Sequence, residues 1–292
     1  MVKETTADLL LEIACETGEG PVWDAHSARL WWTDIPGKRL YRLDPQNGAL
    51  ESWDTPGRVG SFALRQAGGL VVAMEHGFAL FDPLTGAMDV LAEPEHDKPD
   101  HRFNDGRCDR EGRFLAGSMN LARNGPSARL WQLDPGHGVR PLVEGLTISN
   151  GLAFTADGRG MYLVDGGMRQ IFRFDYGDDG MPRNQRVFQP EGTAPGRPDG
   201  GAVDADGCYW SARWAGGCVA RFTPNGQLDR LIRLPVSQVT MCAFGGSDLG
   251  ILFITTACEG MGPRERAAEP LAGSVFACRP GVRGLPEPHF AG

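Results

Sequence analysis

The chain has 292 residues, 41 glycines, 21 prolines and a formal net charge of −8 at pH 7. This acidic balance, without a cluster of lysines or arginines, argues against a surface that binds nucleic acid or an anionic membrane. Short apolar runs between Gly, Pro, Asp and Asn predict many strands and turns, and large all-β folds of this length commonly form one domain, so we expect residues 1–292 to be a single domain.

The N-terminal residues predict a cytoplasmic protein. Residues 1–8 lack the basic-then-apolar pattern of a signal peptide, and no apolar run reaches the roughly 18 residues that a membrane helix needs. The seven cysteines are widely spread and never form a C-x-x-C pair, which argues against a disulfide framework and a thiolate zinc site.

The first predicted element is an apolar strand over residues 9–15, and a series of similar units follows it. The units begin roughly 40 to 50 residues apart. Their first residues are near Gly18, Gly60, Phe103, Ser149, Pro198 and Val239. We expect the N-terminal strand to pair with the last unit and close a ring.

The order of apolar runs and turns in each unit predicts a small antiparallel sheet. The fourth, for example, has apolar runs at residues 151–154, 161–164 and 171–174, with an Asp-Gly turn at residues 157–158. Repeats of this length with up to four strands are typical of β-propellers. The sequence therefore predicts an all-β, six-bladed β-propeller with blades of about four antiparallel strands, closed by the N-terminal strand.

Four stretches place an acid or an amide beside glycine, at the heads of four units. They are residues 18–21 (Gly-Glu-Gly-Pro), 102–106 (Arg-Phe-Asn-Asp-Gly), 149–151 (Ser-Asn-Gly) and 198–201 (Pro-Asp-Gly-Gly). Any one of them alone suits a simple turn. In a propeller, however, the inner strand of each blade begins near the central channel, so we expect these side chains to converge.

Glu19, Asn150 and Asp199 would together offer oxygen ligands only. Two carboxylates and an amide are costly to bury together without a cation. Oxygen ligation favours Ca²⁺, Mg²⁺ or Mn²⁺, and Zn²⁺ also accepts carboxylates, so we predict one divalent ion. Three protein ligands leave positions for water and substrate, which is suited to hydrolysis, with Asp199 as the expected general base.

Arg102 and Asn104 are the predicted substrate-binding residues. They lie two residues apart at the head of the third unit and can hydrogen-bond a polyhydroxylated substrate. The alternative for Arg102 is a surface ion pair with Asp100 or Asp105. His76 and His101 are further candidates for the mouth of the site, although a lone histidine is more often a loop residue.

Other catalytic motifs are missing from the sequence. It contains no G-x-S-x-G elbow, no H-E-x-x-H, no Walker A motif and no G-x-G-x-x-G after a strand. The tryptophans recur in strand bodies, which indicates packing within the blades.

The four glycine stretches together resemble the signature of the senescence marker protein 30 (regucalcin)/gluconolactonase family, and the resemblance extends over nearly the whole chain. It implies a six-bladed propeller and a divalent ion held by Glu19, Asn150 and Asp199. It also implies sugar-lactone contacts from Arg102 and Asn104, and ring opening to an aldonic acid with Asp199 as base. The chain would be a hydrolase acting on carboxylic esters.

Some positions depart from the family pattern, so the identity of the sugar stays undetermined. Gly166 follows Asp165 where Ser or Thr is usual, Cys258 stands where Arg is frequent, and residues 120–127 lack acids. The expected partner is a small sugar lactone, with the chain a monomer or a weak oligomer. Two alternatives remain: a promiscuous esterase or phosphotriesterase using the same ion, and a non-catalytic, calcium-stabilised propeller that binds a partner protein.

Overall fold

The structure of the protein is a computed structural model that describes residues 2–292. Within these residues the chain forms 25 β-strands and one helix of six residues. The strands make six sheets, of which five have four strands and one has five. The prediction of an all-β, six-bladed β-propeller is confirmed.

The first half of the chain contains two N-terminal strands and three blades, each of which runs in chain order from its inner to its outer strand. The N-terminal strands are β1 (Lys3–Thr6) and β2 (Asp8–Leu11). Blade 1 consists of β3 (Gly18–Asp24), β4 (Arg29–Asp34), β5 (Arg39–Leu43) and β6 (Leu50–Asp54). Blade 2 consists of β7 (Ser61–Leu64), β8 (Leu70–Ala73), β9 (Phe78–Phe81) and β10 (Met88–Ala92). Blade 3 consists of β11 (His101–Cys108), β12 (Phe114–Asn120), β13 (Ala128–Leu133) and β14 (Val139–Leu146).

The second half completes the ring with three more blades and the helix. Blade 4 consists of β15 (Ser149–Phe154), β16 (Gly160–Asp165), β17 (Gln170–Tyr176) and β18 (Pro182–Gln189). Blade 5 consists of β19 (Arg197–Val203), β20 (Tyr209–Trp214), β21 (Cys218–Phe222) and β22 (Leu228–Arg233). Blade 6 contains β23 (Val239–Gly245), β24 (Ile251–Thr256) and β25 (Val275–Cys278), with α1 (Pro263–Ala268) inserted before β25. No helix within residues 2–292 is long and apolar enough to cross a membrane.

The N-terminal strands join two blades. β2 pairs antiparallel with β25 and becomes the outer strand of blade 6, which confirms the predicted closure, although the strand ends at Leu11 and does not extend to Cys15. β1 continues to the neighbouring blade, where Lys3–Thr6 pairs in parallel with β22. This fifth strand of blade 5 is not predicted, because β1 is exposed throughout and its pairing leaves no hydrophobic pattern in the sequence.

Apolar clusters between neighbouring blades hold the ring together. Trp31 of blade 1 packs in one cluster with Phe62 of blade 2, and similar clusters follow around the ring. The last joins blade 6 to blade 1, where the rings of Trp23 and Phe253 stack with centroids 5.5 Å apart. Because each such side chain stabilises the fold by about 3 kcal/mol when fully buried, these interfaces hold the inner strands rigidly around the axis.

The inner strands bulge where the polar residues lie. The register shifts lie between Glu19 and Val22 in β3, Phe103 and Gly106 in β11, Asn150 and Ala153 in β15, and Pro198 and Gly201 in β19. Gly20 and Gly151 adopt left-handed φ values of +57° and +60° at two of these bulges. A β-bulge redirects a side chain out of the regular alternation, so the glycines beside the polar residues allow these residues to face the channel.

Candidate metal and substrate site

The head of the channel opens into a cavity where the predicted site residues come together. Glu19, Asn104, Asn150 and Asp199 are all buried, and Arg102 is half-buried beside them. The lining residues come from blades 1, 3, 4, 5 and 6. They are Thr17, Glu19, Arg102, Asn104, Met119, Arg123, Ile148, Asn150, Gly166, Arg197, Pro198, Asp199, Trp214 and Glu259.

A chain of hydrogen bonds links the predicted substrate residues to the predicted base. Arg102 donates to Asn104 Oδ1 at 2.7 Å, and Asn104 Nδ2 donates to Asn150 Oδ1 at 2.7 Å. Asn150 Nδ2 then donates to Asp199 Oδ1 at 2.5 Å. Arg102 also donates to Phe103 O at 2.8 Å, so its hydrogen bonds run within its own strand rather than to Asp100 or Asp105. The four side chains form one polar unit spanning three blades.

The two acids of this cluster are poorly compensated. Burial, followed by the charges of Asp199 and Asp105, raises the pKa of Glu19 well above its usual range. Burial and the charge of Asp105 raise the pKa of Asp199 to about 8. Asp105 is itself buried, its pKa is raised to about 6 by burial, and its Oδ1 has no hydrogen-bond partner. A cation between the carboxylates would relieve this repulsion.

The oxygen atoms present suit a hard divalent cation. Glu19 and Asp199 offer carboxylate oxygens, and Asn150 offers an amide oxygen that at present accepts from Asn104. Within residues 2–292 no group of three or more His, Cys, Asp or Glu side chains is arranged to hold a metal ion, so an ion here would depend on the amide as its third ligand.

Four charged or aromatic lining residues were not among the residues that the sequence indicated for the site. Trp214 ends β20, Arg123 and Glu259 lie in loops, and Arg197 begins β19. Arg123 and Glu259 form an ion pair at 3.2 Å between the loops of blades 3 and 6. For Arg197 a signal was available, since it lies two residues before Asp199 just as Arg102 lies two residues before Asn104. The loop residues carry no such signal.

Neither candidate histidine lines the cavity. His101 is buried beneath the loop of residues 121–127, where Nδ1 contacts Glu95 Oε2 at 3.0 Å and Nε2 contacts Ser127 Oγ at 3.0 Å. Glu95 also accepts from Trp131 Nε1 at 2.7 Å and pairs with Lys98 at 3.1 Å. This network fastens the segment before β11 to blade 3 and supports the loop beside the cavity.

Known proteins resemble this chain in both sequence and fold. Residues 17–258 match the family model described as SMP-30/Gluconolactonase/LRE-like region. The chain is 40% identical to 6-deoxy-6-sulfogluconolactonase of Pseudomonas putida, over 94% of this chain and 95% of that protein. It is 35% identical to regucalcin of Xenopus laevis, over 94% of this chain and 95% of that one. The crystal structure of a calcium-binding protein, regucalcin, from Agrobacterium tumefaciens superposes with a TM-score of 0.94 at 29% identity, covering 99% of this chain and 98% of that one.

Proposed function

The chain belongs to the SMP-30/Gluconolactonase/LRE-like family and is a lactone-hydrolysing enzyme, and we propose that it opens a sugar lactone at the head of its channel with a divalent ion bound there. The observation that carries this proposal is the pair of buried acids, Glu19 and Asp199, which line an open cavity together with the amide of Asn150. The relatives named regucalcin, one of them described as calcium-binding, support a divalent metal.

Glu19, Asn150 and Asp199 are the proposed ligands. The ion, when bound, would polarise the lactone carbonyl and lower the pKa of water. The amide oxygen of Asn150 has two lone pairs, one of which accepts from Asn104 Nδ2, so it would offer the other to the ion. An ion with only three protein ligands keeps exchangeable positions, which favours a catalytic role over a purely structural one.

Asp199 is the proposed general base. It would take a proton from the attacking water as the water oxygen bonds to the lactone carbonyl carbon. The bond from that carbon to the ring oxygen then breaks, and the proton passes to the ring oxygen to give the open hydroxy acid. Arg102 and Asn104, joined to each other at 2.7 Å, would hold the sugar hydroxyls in register with this base.

An assay of lactone hydrolysis, in which the release of acid is measured, tests the proposal. Gluconolactone, galactonolactone, xylonolactone and arabinonolactone are assayed with chelator, and then with Ca²⁺, Mg²⁺, Mn²⁺ or Zn²⁺ restored one at a time. We expect chelation to abolish turnover and at least one cation to restore it. A rate that is unchanged by chelation would rule out the metal-dependent mechanism.

Substitution of the base gives a sharper test. Asp199→Asn keeps the size of the side chain but removes its basicity, so we expect kcat to fall about 10³-fold while the protein stays folded. Asp89→Asn, at an exposed position of β10, is the matched control and should retain full activity. Near-normal turnover by Asp199→Asn would exclude Asp199 as the base.

A further inference from the structure

The cavity contains an unusual number of guanidinium groups for a site that is expected to bind an uncharged sugar ring. Arg102, Arg123 and Arg197 line it, together with the carboxylates of Glu19, Asp199 and Glu259. With all three acids ionised, the formal charges of the six side chains sum to zero. A divalent ion on the proposed ligands would leave two positive charges uncompensated, so the loaded cavity would attract an anion.

Arg197 is the arginine of this set that is free to bind a ligand. Arg102 donates to Phe103 O and Asn104 Oδ1, and Arg123 is paired with Glu259 at 3.2 Å. Arg197 is half-buried at the start of β19, and its guanidinium has no hydrogen-bond or ion-pair partner among residues 2–292. A guanidinium held in a cavity wall without a partner is available for an incoming oxyanion.

The position of Arg197 relative to the proposed base limits what it can reach. It lies two residues before Asp199 on the same strand, and Trp214 of β20 pairs with it in the sheet. Both side chains line the same cavity. A ligand whose carbonyl lies over Asp199 would therefore extend its far end along the wall that carries Arg197 and Trp214.

We propose that Arg197 is a specificity residue that binds an anionic substituent, a sulfonate or a phosphate, on the exocyclic carbon of the sugar lactone. This inference rests on the proposed function, since it assumes that the lactone occupies the cavity. A guanidinium matches the oxygens of such a group with two parallel hydrogen bonds. A neutral sugar leaves Arg197 without a charged partner, so the arginine discriminates between the two classes of substrate.

Kinetics with matched lactones test the role of Arg197. Gluconolactone is compared with its 6-phospho and 6-deoxy-6-sulfo analogues, which share the ring and distinguish the two anions. We expect the wild-type protein to prefer at least one anionic lactone over gluconolactone in kcat/KM by about tenfold or more, and Arg197→Gln to remove that preference by lowering the value for the anionic lactone. Arg183→Gln, at an exposed arginine of β18, is the matched control and should keep the preference.

Binding of the reaction products gives a readout that does not depend on turnover. Titration calorimetry on the chelated and the Ca²⁺-loaded protein compares gluconate with 6-phosphogluconate and 6-deoxy-6-sulfogluconate. We expect at least one anionic product to bind about tenfold more tightly than gluconate, and Arg197→Gln to abolish the difference. Arg197→Lys should keep part of it, because the charge remains and the paired hydrogen bonds are lost.

The outcomes separate this inference from the proposed function. Metal-dependent hydrolysis of gluconolactone without any preference for the anionic lactones would overturn the role of Arg197 and leave the lactonase proposal intact. Tight binding of an anionic product that depends on Arg197, without hydrolysis of any lactone, would support the anion subsite and contradict the proposed reaction. A preference that survives Arg197→Gln would also overturn the assignment.

Discussion

Asn150 is the residue that connects the two halves of the candidate site. It accepts a hydrogen bond from Asn104 on one side and donates one to Asp199 on the other. A change of charge or orientation at Asp199 therefore affects the hydrogen bond of Asn104 through the single amide of Asn150. The proposed ligand set and the proposed substrate contacts are adjacent links of a single polar chain, which is why their roles must be separated by experiment.

Substitution of Asn104 separates the two roles. Asn104→Ala removes the proposed hydrogen bond to the sugar but leaves all three proposed metal ligands, so we expect KM for the lactone to rise about tenfold and the Ca²⁺ dissociation constant to change by less. Saturation kinetics and titration calorimetry with Ca²⁺ measure the two quantities. Asn225→Ala, in an exposed turn, is the control. A larger loss of Ca²⁺ affinity than of substrate affinity would reassign Asn104 to the ion.

At this scale the sequence indicates some residues of the cavity and not others. Glu19, Asn104, Asn150 and Asp199 were singled out because a polar residue beside glycine recurs at the head of a repeat, and the structure brings them to one cavity. Their chemical roles stay predictions. Arg123 and Glu259 had no comparable signal, because their contact joins loops 136 positions apart and depends on the shape of the ring.

The inner strands combine two properties that seldom occur together. They are buried along almost their whole length, as a core strand requires, and yet five of the six interrupt their pairing with β-bulges. β7, which supplies no lining residue to the cavity, pairs in continuous register. Bulges thus occur in all four strands that supply Glu19, Asn104, Asn150 and Asp199, and also in β23, which supplies no lining residue. In the four strands of the site the bulge explains why glycine accompanies the polar residues.

The bulge of β15 offers a test of this interpretation. Gly151 has a left-handed φ of +60°, and a Cβ there would overlap the side chain of Val164 and the hydroxyl of Tyr209, which donates to Gly151 O at 2.8 Å. We expect Gly151→Ala to lower the free energy of unfolding by about 3 kcal/mol or more and to weaken Ca²⁺ binding through the displaced Asn150. Urea denaturation and calorimetry measure these effects.

Gly145 provides the matched control for this substitution. Its φ is +75°, but a Cβ there would meet no atom within 4 Å. Gly145→Ala should therefore cost only the backbone strain of about 1 to 2 kcal/mol and leave Ca²⁺ binding unchanged. Equal costs at the two positions would mean that the close packing of the bulge is unimportant.

At the level of elements the repeat predicted the blades well. The inner strands begin at Gly18, Ser61, His101, Ser149, Arg197 and Val239, within two residues of the expected starts. The regular spacing makes this possible, because each unit repeats the same order of strand, turn and strand. The parallel strand β1 escaped prediction since an exposed strand held by backbone hydrogen bonds imposes no particular side chains.

The stability of the whole ring depends on the one interface that closes it. A ring of six blades has six interfaces, and five of them join blades that follow each other in the chain. The sixth, between blades 6 and 1, brings Trp23 against Phe253 and is reinforced by the segment that leads into blade 1. Because the cavity is lined from blades on both sides of this interface, closure of the ring and integrity of the candidate site are linked.

Two truncations test what the N-terminal segment contributes to this closure. Removal of residues 1–15 exposes the edge of β25, deletes the packing of Leu10, Leu11 and Ile13, and removes the buried Cys15, whose N–H donates to Gly273 O at 3.2 Å. We expect the unfolding temperature to fall by roughly 10 °C or more, since several apolar side chains leave the core.

The shorter truncation isolates the parallel strand. Removal of residues 1–6 deletes only β1, which is exposed throughout, and should lower the unfolding temperature by no more than about 3 °C. Scanning calorimetry with and without Ca²⁺ then compares both truncated chains with the full chain. If removal of residues 1–15 left the unfolding temperature unchanged, the contact between blades 6 and 1 alone would close the ring, and β2 would contribute nothing to its stability. If instead removal of residues 1–15 abolished any stabilisation by Ca²⁺ while removal of residues 1–6 did not, the pairing of β2 would be needed to hold Glu19 in position near Asp199.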